Sequence, residues 1–211
     1  MARRRKRGRP TRRRTAPPTR RRRSGPGPVA DPGAEIARLG VALAGAPDLA
    51  RGLDELLASA RRVTGAQAGT VYLRRGDVLE FAAVQNDILA RRLGAAEVRT
   101  RLAARPLSLR EASIASYVVL TRATVNLHDA YEIPMDRPYT LFREVDRKAD
   151  YRTRSMLATP LRDARGRVFG VLQLINALDR RGKITAFSPE HQTLVQTLAG
   201  YAAHLPAPIS S

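Results

Sequence analysis

The chain has 211 residues, 43% of them hydrophobic, and a formal net charge of +19, which fits one folded domain with a charged appendage. It contains no cysteine, which excludes disulfides, thiolate nucleophiles, cysteine-based zinc sites and thioether-linked chromophores. No apolar run approaches the ~18 residues of a membrane helix, and the basic start is not followed by the hydrophobic stretch of a secretory signal, so the expectation is a cytoplasmic protein with no membrane partner.

Residues 1–34 hold thirteen Lys/Arg against a single acid, Asp31. They carry +12 of the charge and leave +7 for residues 35–211. With many prolines and almost no large apolar side chain, this tail is expected to be disordered. The arginines of residues 1–23 are expected to bind polyanions, DNA among them, in a salt-sensitive way. Within the tail, Arg7-Gly8-Arg9-Pro10 resembles an AT-hook core, in which an extended Arg-Gly-Arg lies in a narrow minor groove. Three readings stay open for it: groove recognition, sequence-independent polyanion binding, or an inert segment produced by a start site placed upstream in GC-rich DNA.

The folded part is expected over residues 35–204, with a second disordered tail at 205–211. Glu35 to Ala44 reads as a helix, separated by Pro47 from an amphipathic helix over 48–63. In the latter, Leu49, Leu53, Leu56, Leu57, Ala60 and Val63 share one face and Gly65 is the stop. Next come "TVYL" (70–73) and "VLEFAAV" (78–84), joined by Arg74-Arg75-Gly76-Asp77 as a hairpin. "SIASYVVLT" (113–121) reads as a short helix and "TVNL" (124–127) as a small strand. "SMLATPL" (155–161) and "VFGVLQLIN" (168–176) read as central antiparallel strands around the turn "RDARGR". Their continuous apolar character fits burial on both faces. Ser188-Pro189-Glu190 begins a last helix, which Pro206 and Pro208 end. This order specifies an α+β domain built on an antiparallel sheet with flanking helices.

Alternation at the mouth of the strand beginning at Ser155 bears on "YRTRSM" (151–156). Arg152 and Arg154 project one way, toward acids such as Glu144 or Asp150, while Thr153 projects into a cavity beneath a loop spanning 136–152.

The stretches "TVYL", "SIASYVVLTRATVNLHDAY", "YRTRSMLATPL" and "GVLQLINA…GKITAFSPEH", in this order, resemble the GAF family over roughly residues 48–204. The pattern is most like the GAF domains of cyclic-nucleotide phosphodiesterases, bacterial adenylate cyclases and some HD-type phosphohydrolases. The resemblance implies a GAF-type antiparallel sheet, no catalytic activity, no cofactor and a pocket for a small molecule, with a nucleotide as one candidate. It assigns to that pocket Thr70 on the first strand, Ala115 at a helix start, and Asp146 and Thr153 from the family's Asp-x-x-Thr-Gly-Phe/Tyr-x-Thr-Arg pattern. Gln85, Phe142 and Gln173 stand at further pocket positions. Gln173 replaces a glutamate of mammalian-type sites and Phe142 a tyrosine, while Gln85 lies where an acid or base-stacking neighbour is expected. Ala149 and Asp150 replace the threonine and glycine of the pattern. Of the Asn-Lys…Phe…Asp-Glu signature, Asn176 and Phe187 remain, while Ala177 and His191-Gln192 stand in place of the Lys and the Asp-Glu. These departures point away from a cyclic-nucleotide site.

Other chemistry finds little support. His128, His191 and His204 lack metal-ligand spacing, so no metal site is assigned. His128-Asp129 beside Tyr131 reads as a loop hydrogen-bond cluster. No paired carboxylates or nucleoside-triphosphate loop appear, and the thiol chemistry of GAF-fold methionine sulfoxide reductases is out of reach without cysteine. Because "LPAPISS" ends the sequence where relatives continue into an effector, action through a homodimer, a partner protein or the tail is expected. The alternatives are a nucleic-acid-associated protein whose tail acts, and a degenerate fragment of a larger signalling protein.

Overall fold

The computed structural model describes residues 31–103 and 106–206. The hook-like Arg7, Gly8, Arg9 and Pro10, and the last five residues, lie outside this range.

Helix α1 (Pro32–Ala44) starts where Asp31 accepts the Ala34 N–H at 2.8 Å and Pro32 pre-sets the first turn. The helix expected from Glu35 thus starts three residues earlier, at Pro32. Helix α2 (Leu49–Thr64) is capped by Asp48 and stopped by Gly65 in the left-handed region at φ 65°. A hairpin of β1 (Ala68–Arg75) and β2 (Val78–Asn86) follows. Two helices in a stretch left unassigned by sequence pattern come next, α3 (Asp87–Leu93) and α4 (Ala95–Ala103). Then come the two-residue β3 (Leu107–Ser108), α5 (Ile114–Thr121), β4 (Val125–Leu127) and α6 (Arg143–Ala149). The segment 136–152, expected as loop, therefore carries a helix. The chain closes with β5 (Met156–Arg162), β6 (Val168–Ile175), the small ribbon β7 (Ala177–Leu178) and β8 (Ile184–Thr185), and α7 (Pro189–Gly200).

The strands form one antiparallel sheet in the order β3-β2-β1-β6-β5-β4, with β7 and β8 apart. β5 and β6 pair along their length, as expected, with β6 and β1 at the centre.

Two apolar layers cover the sheet. On one face α1, α2 and α7 bury Leu39, Leu53, Leu56, Leu57, Val195 and Leu198 against Val71, Leu157, Leu172 and Leu174. Each fully buried leucine contributes roughly 2 kcal/mol of transfer free energy. Leu205 joins this core, filling the space beside Gly52, so the fold runs one residue past the expected boundary at 204. On the other face α5 packs Ile114, Val118 and Val119 over Tyr72, Met156 and Val171. No described helix is long and apolar enough to cross a membrane.

Candidate functional site

Side-chain alternation sorts the central strands between these layers. Along β1, Val71 and Leu73 face α2, whereas Thr70 and Tyr72 face the other way; along β6, Leu172 and Leu174 face α2 and Gln173 and Ile175 oppose them. Above this second face, α5 and α6 do not close completely. They leave a cavity of about 170 Å³. Its floor is Thr70, Tyr72, Gln173 and Met156, and its cover includes Ala115, Phe142, Val145 and Tyr151.

The floor holds an unusual set of polar groups. Gln173 stands directly opposite Thr70 across β1–β6, and the two residues are 9% and 6% exposed. Neither side chain forms a hydrogen bond with another described residue, and the same holds for the Tyr72 hydroxyl. These three groups open onto the cavity rather than being sealed away from it, so they are free to hydrogen-bond a molecule held there. Tyr72 packs its ring on Phe81 at 4.7 Å between centroids. Burial pushes its hydroxyl above the ordinary tyrosine range, which keeps it a neutral donor. Tyr72 was not among the expected site residues, although its position two residues after Thr70 on the same strand face was the available signal.

Ala115 lies in the first turn of α5, buried and lining the cavity. Ser113 caps that turn by accepting the Ser116 N–H at 3.0 Å, and the Ala115 N–H has no intrahelical acceptor because it belongs to the first turn.

Asp146 and Thr153 both line the cavity, but they face each other. The Thr153 N–H and hydroxyl donate to Asp146 at 2.7 and 2.8 Å, and the Tyr131 hydroxyl adds a third bond at 3.0 Å. The trio pins α6 to the strand entrance. Tyr131 is itself held between Arg143 and Arg152, at 4.8 and 4.3 Å from its ring centroid.

Gln85 borders the cavity, but its amide turns to the opposite face. Its Nε2 donates to the Asp54 carboxylate at 2.9 Å and its Oε1 accepts from Arg61 at 3.1 Å, both on α2. The cause is a β-bulge: Val71 pairs with Ala83 but Tyr72 with Phe81, so one extra residue shifts the alternation of β2. Phe81, Val84 and Asn86 reach the cavity instead. Gln85 thus lines the cavity with its amide already engaged on α2.

Arg152 and Arg154 point outward as expected, with side chains 63% and 53% exposed, but they turn to Asp129 at 4.0 and 3.6 Å. Glu144 pairs with Lys148 and Asp150 with Arg92. Asp129 also accepts the Tyr131 N–H at 2.9 Å, the expected loop cluster. The backbone of "YRTRSM" is fixed by the fully buried Asn176, whose Oδ1 accepts the Arg154 N–H at 2.7 Å and whose Nδ2 donates to the Arg152 carbonyl at 2.8 Å. Phe187 is buried in the first layer. His191 closes a capping box with Ser188, and burial lowers its pKa. Among the described residues no group of His, Asp and Glu is arranged to hold a metal.

The GAF domain family model matches residues 48–204. Among solved structures, the GAF domain of a phosphoenolpyruvate-protein phosphotransferase from Coxiella burnetii superposes with a TM-score of 0.62 at 16% identity, covering 82% of this chain and 90% of that one. A free methionine-R-sulfoxide reductase from Neisseria meningitidis, solved with its substrate, gives 0.57 at 17% identity over 83% and 90%. A GAF domain/HD domain protein from Geobacter sulfurreducens gives 0.56 at 18% over 77% and 94%. At such identities the likeness is one of fold. Among curated proteins none matches.

Proposed function

The chain belongs to the GAF family, a small-molecule-binding regulatory fold, and on that premise we propose that it is a non-enzymatic cytoplasmic sensor module whose cavity takes a small, neutral, single-ring ligand. The observation that carries this reading is Gln173, a residue 9% exposed whose carboxamide opens onto the cavity opposite Thr70 with no partner among the described residues. A carboxamide presents a donor and an acceptor side by side, which complements the edge of an amide, lactam or nucleobase. The volume supports one ring: about 170 Å³ lies below the ~300 Å³ of ordinary ligand pockets and near the ~150 Å³ of a cavity that holds benzene.

Charge argues for neutrality. No Lys, Arg or His lines the cavity, and its one acid, Asp146, already accepts three hydrogen bonds. A phosphate brought here would lose its hydration against a single first-turn amide, a cost of several kcal/mol. A cyclic nucleotide therefore fits poorly. The same lining supports the non-catalytic reading, as does the lack of cysteine, since sulfoxide reduction in relatives needs thiols. Occupancy would stabilise the covered arrangement of α5 and α6 and be read by a partner protein or a second copy of the chain. The second role, nucleic-acid binding by residues 1–23, rests on the +12 carried by residues 1–34.

Thermal-shift measurements with uracil, thymine and cyclic AMP test the ligand class. The neutral rings should raise Tm in the wild type and not in Gln173→Leu, with cyclic AMP inactive. A shift from cyclic AMP and none from the neutral rings would overturn it.

A further inference from the structure

Antiparallel pairing gathers the end of β1, the start of β2, the end of β5, the start of β6 and the entry to β4 at one end of the sheet. Arginine recurs along that end. Arg74 and Arg75 finish β1, Arg162 finishes β5, and Arg165 and Arg167 sit in the β5–β6 turn. Arg110 follows Leu109, whose N–H donates to the Asp77 carbonyl in the β1–β2 turn at 2.8 Å. Arg122 leads toward β4, and its carbonyl accepts from Arg162 at 2.8 Å.

The acids nearby are Asp77, Glu80, Glu111 and Asp163. Asp163 is committed to its own turn, accepting the N–H groups of Arg165 and Arg167 and the Arg167 guanidinium, and Glu80 lies 3.9 Å from Arg75. Arg110, Arg122 and Arg165 are exposed, and their guanidinium groups have no partner among the described residues.

Spacing turns this cluster into a track. Strands lie ≈ 4.8 Å apart, so the four intervals from β2 to β4 extend over roughly 19 Å. Each strand of a duplex presents a phosphate about every 3.4 Å along its axis, so the row parallels several consecutive phosphates. At its Arg122 end is a cleft of about 290 Å³ bounded by Arg122, Arg162, Thr124 and Gln196, with room for a phosphodiester.

We propose that this end of the sheet is a docking surface for the phosphate backbone of duplex nucleic acid, separate from both the cavity and the N-terminal tail. An extended row of cations, of which Arg110, Arg122 and Arg165 carry free guanidinium groups, neutralises phosphates without reading bases.

The test uses the full chain, so that the tail contributes equally to every variant. Binding of a fluorescent duplex of about two helical turns is followed against salt. Combined R110Q, R122N and R165Q should reduce the slope of log K against log salt by about 2–3, since each lost phosphate contact removes about 0.9. A control with the same charge change, R91Q, R147Q and R180Q, removes exposed arginines from elements at the other end. It should leave the slope unchanged, as expected when no phosphate contact is lost. Arg165 lies in an exposed turn, so R165Q alone, with a loss of about 0.9, gives the same reading should the triple variant fold poorly. Equal losses in both triple variants, or no loss in the first, would overturn the proposal. So would retention of duplex binding with loss of phosphatidylserine-vesicle binding in the R110Q, R122N and R165Q variant, which would make the partner a membrane surface.

Discussion

Thr153 gives both its backbone N–H and its hydroxyl to Asp146, at 2.7 and 2.8 Å, so the threonine holds α6 in place before any ligand arrives. Thr153→Ala removes the hydroxyl bond and leaves one carboxylate oxygen short of a donor. A loss of about 1–2 kcal/mol is expected, read as a Tm lower by about 3–6 °C, with Thr153→Ser close to wild type. Differential scanning calorimetry without ligand checks this, and an unchanged Tm in Thr153→Ala would show that the clamp carries no load.

Removing a polar group from the cavity floor should act in the opposite direction. Gln173→Leu and Tyr72→Phe delete polar groups that open onto the cavity and have no partner among the described residues, so no protein hydrogen bond of the empty fold is lost with them. The empty protein should therefore be as stable as wild type or up to about 1 kcal/mol more stable, while any ligand-induced Tm shift shrinks. Destabilisation by either substitution would mean that the amide or hydroxyl already bonds to ordered water.

Glu35 supplies the pH dependence. It is 5% exposed and binds Arg38, Arg62 and Ser59, tying α1 to α2. Burial pushes its carboxyl up, but the hydrogen bonds from Arg62, Ser59 and Arg38 outweigh burial and hold it at about 2 against an ordinary 4.5. The folded pKa is thus depressed, so its stabilisation is fully present above pH 4.5 and is lost as pH falls from 4.5 toward 2. Glu35→Gln should lower Tm at pH 7 and flatten the fall in Tm between pH 5 and 3. A mutant curve parallel to that of the wild type across this window would rule the carboxylate out as its source.

Two glycines should respond with opposite signs. A Cβ on Gly170 would collide with the Tyr72 carbonyl oxygen across β1–β6, where neither backbone can yield. Gly170→Ala should cost about 1–3 kcal/mol. Gly40 is mid-helix in α1 with nothing near a new Cβ, and Gly40→Ala should stabilise by about 0.5–1 kcal/mol. Chemical denaturation of both variants measures the two effects.

The amino-acid sequence by itself determined the elements whose signals are local or periodic. Asp48 and Ser188 cap their helices, Gly65 ends α2, and the apolar runs at 155–161 and 168–176 pair as neighbouring strands. Alternation also turned Thr153 to the cavity side, because the period of a regular strand is fixed by its geometry, while Thr70 and Gln173 were assigned there by the family resemblance. Helix α6 escaped because REVDRKA has no apolar stripe. Its one buried side chain is Asp146, a polar residue that only its partners on distant elements make stable there. Gln85, assigned to the pocket by the family resemblance, borders the cavity but turns its amide to α2, because the bulge that shifts the alternation of β2 exists only in the pairing with β1. Asp129 was likewise preferred over Glu144 and Asp150 by Arg152 and Arg154 because Asn176 fixes the loop backbone that aims them. In each case tertiary structure decided, since the energy lies in contacts between segments far apart in the chain, and no local pattern encodes which of several suitable partners will be within reach.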